Sequence, residues 1–115
     1  MTSFEYLLMG HLVGDFLLQT NWMAKNKASN LVALIIHSFV YTLVIFVTAQ
    51  VFIPTFTIWA SLLIFVAHCM LDYRQLTLWW LRQVMQVPKG EDQWIIFVVD
   101  QIFHLLVLVS ILHLK

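Results

Sequence analysis

The chain has 115 residues, of which 62% are hydrophobic and 10% charged, whereas soluble domains run at about 25% charged; it reads as an integral membrane protein with a single domain over 1–115. Six basic residues balance six acidic ones, which leaves no basic stripe for nucleic acid and no acidic tail, so the expected partner is the lipid bilayer. A single cysteine, Cys69, excludes an internal disulfide.

A bilayer core needs about 20 apolar residues per helix. The N-terminal stretch MTSFEYLLMG has neither a basic segment nor a small-residue cleavage site, so it is expected to remain as a membrane helix. That first helix is predicted over residues 3–19 and is short. The second is predicted over Leu31–Ile53 and stops at Pro54, which cannot continue a helix without losing a backbone donor. The third is predicted over 55–72 and the fourth over 93–114. Between them, residues 75–87 suggest an interfacial helix with Leu76, Trp80, Val84 and Val87 on one face and Gln75, Arg82 and Gln86 on another. Trp79 breaks that pattern, and the tryptophans would sit at headgroup level. The expected fold is therefore all-α: a polytopic membrane protein with four transmembrane helices in a bundle and a short interfacial helix.

Polar residues recur at one end of each predicted span. His11 and Asp15 lie near the end of the first, His37 near the start of the second, His68 and Asp72 near the end of the third, and Asp100 and His104 in the first half of the fourth. Helices of alternating direction bring all seven into one leaflet. At about 1.5 Å per residue most would lie roughly 3 to 12 Å below that surface, with His104 deepest at about 16 Å. In His11/Asp15, His68/Asp72 and Asp100/His104 the partners are four apart, which puts each pair on one helix face. A charge at the centre of a membrane helix costs about 2.5 to 3.5 kcal/mol on insertion scales, so such residues face the bundle interior. Convergence on one pocket is the expectation, and Gly10 and Gly14 would allow the close backbone approach that a compact site requires.

Orientation follows from the cations. The loops on the crowded side carry Lys25, Lys27, Arg74, Arg82 and Lys89, against Lys115 alone on the other. The positive-inside rule then places the crowded leaflet on the cytoplasmic side and both termini outside.

The segments GHLVGDFLLQTNWMAKNK, IIHS, HCMLDY and VVDQIFH resemble the small bacterial integral-membrane family catalogued as domain of unknown function three-three-zero-seven, over nearly the whole chain. The resemblance implies a bacterial inner-membrane protein and no particular activity. In arrangement alone, the His and Asp residues on helices are also similar to membrane-bound proteins described as metal-dependent hydrolases.

Imidazoles with carboxylates suit a divalent transition metal, zinc first and manganese or iron next. Seven candidates, His11, Asp15, His37, His68, Asp72, Asp100 and His104, exceed the three or four protein ligands of one zinc. Two metals, or one metal with supporting carboxylates that orient the imidazoles, would account for the surplus. The expected activity is metal-dependent hydrolysis of a phosphoester or lipid-linked substrate, with Asp15 or Asp72 as base. The competing expectation is a metal or proton carrier or sensor on the same ligands, for which four helices leave little room unless the chain forms a homo-oligomer. Two further alternatives stand: side chains that only bond helices together at about 0.6 kcal/mol each, and haem ligation, which leaves the three aspartates unexplained. His113 is expected at the opposite interface and Cys69 in packing. Tyr41 and Gln19 are expected first as plain interface residues, with support of His37 by Tyr41 and of Asp15 by Gln19 as the alternative that a spacing of four offers. The loop cations set topology or hold an anionic substrate or headgroup, and Glu91 and Asp92 belong to a solvated loop.

Overall fold

The structure, a computed structural model, describes residues 1–88 and 93–114; the expectations for Lys89, Glu91, Asp92 and Lys115 lie outside these residues. The described residues are all-helical apart from short connections. Helix α1 (Ser3–Leu12) opens on a capping box, in which the Thr2 hydroxyl accepts from the Glu5 N–H and the Glu5 carboxylate accepts from the Thr2 N–H. It continues without a break into a π-helical turn, Val13–Leu17. Then come α2 (Asn21–Asn26), capped by Thr20, and α3 (Leu31–Phe52), whose Asn30 cap accepts from the N–H groups of Val32 and Ala33. Helix α4 (Ile58–Asp72) is capped by Thr57, and α5 (Gln75–Gln83) and α6 (Gln93–Leu114) complete the chain.

Two of these helices, α3 and α6, are long and apolar enough to cross a membrane. Each has 22 residues, about 33 Å at 1.5 Å per residue, against a hydrocarbon core of about 30 Å. This corrects the expectation of four spanning helices. The first expected span ends at Leu17, not at residue 19, and α4 has only 15 residues. The cause in α4 is local, because Pro54 and the Thr57 cap delay its start to Ile58. The short helix α2, in a stretch expected to be loop, buries Met23. Helix α5 stops at Gln83, and it turns Thr77 and Leu81 inward. The apolar face expected at the membrane interface, with Leu76, Trp80 and Val84, is exposed on the outer surface.

The bundle divides along its length. Leu7, Ile45, Ala49, Ile53, Phe56, Ala60, Ile64, Leu108 and Ile111 fill one half as an apolar core, with Tyr41 at its edge. The other half is buried and polar. The outer surface is the reverse, since Leu31, Trp59, Val66, Met70 and Leu106 are all exposed.

The glycines set the distance between α1 and α3. A Cβ at Gly14 would lie 3.0 Å from Tyr41 Cδ2 and 3.3 Å from Tyr41 Cα, whereas one at Gly10 would meet the side-chain atoms Ile45 Cδ1 at 3.2 Å and Thr48 Oγ1 at 3.3 Å. Backbone cannot yield as a side-chain end can. Gly14→Ala is therefore expected to cost about 1 to 3 kcal/mol, as overpacking does, and Gly10→Ala less. Thermal unfolding of the two variants in detergent checks the order.

Candidate metal centre

Each element delivers its polar residues to the same end of the bundle. All seven predicted residues are buried: His37 and Asp72 are fully inaccessible, and His11, Asp15, His68, Asp100 and His104 are 1 to 2% exposed. Four come together most tightly. One ligand atom from each of Asp15, His68, Asp72 and His104 lies within 4.8 Å of the others.

Two carboxylates organise the centre. Asp15 Oδ1 lies 3.0 Å from His37 Nε2 and 3.2 Å from His68 Nε2. Asp72 Oδ2 lies 3.0 Å from His37 Nε2 and 3.4 Å from His68 Nε2, while its Oδ1 lies 3.1 Å from His104 Nε2. His37 thus bridges the two carboxylates from outside the four-donor group, and its Nδ1 has no hydrogen-bond partner among the described residues.

Hydrogen bonds behind the rings fix which nitrogen faces the centre. His104 Nδ1 is 2.7 Å from the Asp100 backbone carbonyl oxygen. A carbonyl only accepts, so Nδ1 carries the proton, and in the neutral ring Nε2 presents a lone pair. That lone pair faces a carboxylate oxygen at 3.1 Å. The contact is satisfied in one of two ways: a second ring proton, which makes an imidazolium–carboxylate pair, or a metal cation between the two acceptors of the neutral ring. The Asp100 carboxylate lies behind this ring, with Oδ2 3.7 Å from His104 Nδ1. His68 is held by Ser38 Oγ at 3.0 Å from its Nδ1, and it stacks on Tyr41 at 3.9 Å between ring centroids. This backing of imidazoles by carbonyl, hydroxyl and carboxylate is the usual support of metal-binding histidines.

His11 stands apart from the four. Gln101 Nε2 donates to Asp15 Oδ2 at 3.4 Å, and its Oε1 lies 2.7 Å from His11 Nε2. His11 Nε2 therefore donates, which leaves Nδ1 to accept from the Tyr41 hydroxyl at 2.7 Å. Both ring nitrogens are occupied, and His11 Nε2 is 3.8 Å from Asp15 Oδ2. In this chain Tyr41, His11 and Gln101 together orient Asp15.

Several partners differ from those the spacing suggests. Tyr41 bonds His11, not His37. Asp15 is held by Gln101, and Gln19 Oε1 is buried without a partner among the described residues. Lys27, expected in a topology-setting loop, is 6% exposed and places Nζ 3.2 Å from Asp72 Oδ2. Gln101 and Ser38 carried one available signal, as polar residues within otherwise apolar spans; Lys27 carried none beyond its charge. Cys69 is partly buried and free, and His113 is exposed.

The same sequence segments settle the chain's relatives. No curated protein and no solved structure matches it. The family model described as protein of unknown function DUF3307 matches residues 4–115, which takes in every residue of the centre, and the chain belongs to that family.

Proposed function

We propose that the protein is a membrane-embedded metal-binding protein whose centre holds a divalent transition metal, zinc above manganese or iron. One observation carries the reading: one ligand atom from each of Asp15, His68, Asp72 and His104 lies within 4.8 Å of the others, and the Nδ1 bond of His104 to a carbonyl turns its Nε2 towards that group. Donors bound at about 2.0 to 2.1 Å to a tetrahedral zinc lie about 3.3 Å apart. The contacts of 3.1 Å from His104 to Asp72 Oδ1, 3.2 Å from His68 to Asp15 Oδ1 and 3.4 Å from His68 to Asp72 Oδ2 are near that length, and the four ligand atoms would draw together from within 4.8 Å on binding.

In this reading residues 1–115 form one membrane-embedded four-helix domain. Helices α1 and α4, too short to span alone, sit in the bilayer between α3 and α6. The exposed apolar side chains of α4 support this, since Leu62, Leu63, Val66 and Met70 would form an unfavourable patch in water. The positions of Lys25, Lys27, Arg74 and Arg82 favour a cytoplasmic centre with both termini outside, in a bacterial inner membrane.

The activity that fits the donor set is hydrolysis of a phosphoester or lipid-linked substrate at the cytosolic leaflet. A bound metal would supply Lewis acidity and a polarised water. Asp15 or Asp72, the carboxylates nearest that position, would take the proton. His37, hydrogen-bonded to Asp15 and in contact with Asp72, would lie between their charges. A second reading, a metal carrier or sensor, is favoured by the sealing of the centre. The cavity beside His68 and His104 is only about 10 Å³, space for about one water and for no substrate.

Elemental analysis of the purified protein, run beside assays on phosphoester and lipid substrates, separates these. Near-stoichiometric metal with turnover is the expected result. Metal without turnover moves the assignment to the carrier or sensor, and folded, metal-free protein removes the metal centre altogether.

A further inference from the structure

The four donors assigned to the metal leave one imidazole over. His37 Nε2 lies 3.0 Å from Asp15 Oδ1 and 3.0 Å from Asp72 Oδ2, closer to these carboxylates than His68 or His104 comes, and the residue is fully inaccessible. An imidazole nitrogen has one lone pair and binds one metal. His68 and His104 are therefore used by the first ion, and His37 is the ring that remains for a second. The carboxylates have the oxygens for it. Asp72 divides its two, since Oδ1 faces His104 at 3.1 Å while Oδ2 faces His37 and also Lys27 Nζ at 3.2 Å. Asp15 Oδ1 touches both His37 and His68.

Donors of one tetrahedral zinc lie about 3.3 Å apart, and both His37 contacts are near that length. We propose that His37 Nε2, Asp15 Oδ1 and Asp72 Oδ2 hold a second divalent cation, joined to the first through the Asp72 carboxylate. Three protein donors with an open fourth position are the pattern of a catalytic ion, not of a structural one. In two-metal sites the ions stand about 3.5 to 4 Å apart and clamp the attacking and leaving oxygens of a phosphoester. The second position rests on the metal reading above and narrows its substrate to a phosphoester. Two features make this position the weaker one. Lys27 Nζ already supplies positive charge to Asp72 Oδ2, so an arriving ion must displace a buried ammonium. His37 Nδ1 has no hydrogen-bond partner among the described residues, whereas His68 and His104 are each backed by one, and such backing raises metal affinity by about 10- to 100-fold.

Manganese(II) is the probe, because its electron spins report how close two ions lie. The full chain in detergent is titrated by equilibrium dialysis with elemental analysis, and the loaded samples are followed by electron paramagnetic resonance. The expected result is two ions per chain, the second bound at least about tenfold more weakly, with a spin-coupled signal that grows in with the second. His37→Ala should stop the loading at one ion; His37→Gln, which still donates to a carboxylate, replaces it should alanine fold poorly. Lys27→Met should strengthen the second step more than the first. Saturation at one ion in both the parent and Lys27→Met overturns the proposal and leaves the metal reading standing. Two ions without spin coupling, or two ions in the His37 variants, also overturn it, because the second would then lie elsewhere. No bound ion at all removes the metal reading and this position with it.

Discussion

His68→Ala and His104→Ala are each expected to strip the metal from purified protein and to destabilise it. Supporting residues around metal ligands are worth about 10- to 100-fold in affinity, so loss of a direct ligand should exceed about 100-fold on that scale. The stability effect has a separate origin. His68 Nε2 touches both Asp15 and Asp72, and His104 is the contact of Asp72 Oδ1. Removing one partner of a buried ionic pair typically costs about 3 to 5 kcal/mol. His37→Ala and Gln101→Leu should differ, since these residues stand outside the four donors: metal should be retained at lowered affinity, by about 10- to 100-fold. Asp15→Asn or Asp72→Asn should, in at least one case, keep the metal and lose turnover, because an amide holds the shape but takes no proton. Metal content and thermal unfolding, measured together, report both arms. Histidine variants as stable as the parent, in protein that never carried metal, would reduce the cluster to helix-to-helix bonding.

Lys27 should give the second large effect, with opposite signs in the two states of the centre. Its ammonium is 3.2 Å from Asp72 Oδ2 and nearly inaccessible, so it supplies positive charge to the carboxylates that a metal would also neutralise. Lys27→Met should therefore lower the stability of metal-free protein, up to the roughly 3 kcal/mol at the low end for breaking a buried pair. It should also tighten metal binding. Two unit charges about 4 Å apart interact by about 4 kcal/mol at an effective dielectric constant near 20, so relief of even part of that repulsion gives at least about tenfold. Calorimetric metal titration of parent and variant decides the matter: equal affinities would place Lys27 outside the electrostatics of the centre.

The contrast between His68 and Lys27 shows what was legible in the sequence. The positions of His11, Asp15, His37, His68, Asp72, Asp100 and His104 could be assigned to one end of the bundle because that depends only on helix order and rise per residue. Of their pairings, those within a helix could, since His11/Asp15, His68/Asp72 and Asp100/His104 lie at 3.8, 3.4 and 3.7 Å, and those between helices could not. Spacing by four identifies neighbours on one helix, yet the contacts that hold Asp15 come from α3, α4 and α6. Rotation about a helix axis is normally read from an apolar stripe, and α3 and α6 are apolar nearly all round. That is why spacing alone does not find His11 as the partner of Tyr41 or Gln101 as the partner of Asp15. Lys27 escaped for another reason, since a long flexible side chain lets a residue at the end of α2 reach a carboxylate at the end of α4. The span lengths of α1 and α4 failed through local terms, a π-helical turn and a cap, that average hydrophobicity does not register.

The π-helical turn at Val13–Leu17 has a consequence for how this chain can vary in length. Such a turn accommodates one more residue than an α-helical turn would, so removing one residue within it would let the segment relax into a regular helix. The helix before the turn would keep its phase, because the wide turn absorbs the extra residue without rotating its flanks, and the residues of the turn itself would be the ones to move: Gly14 against Tyr41, and Asp15 against His37 and His68. Length in this turn therefore adjusts how its own residues meet α3 and α4, and the chain should tolerate substitutions at the exposed Phe16 and Leu17 far more readily than the loss of either one.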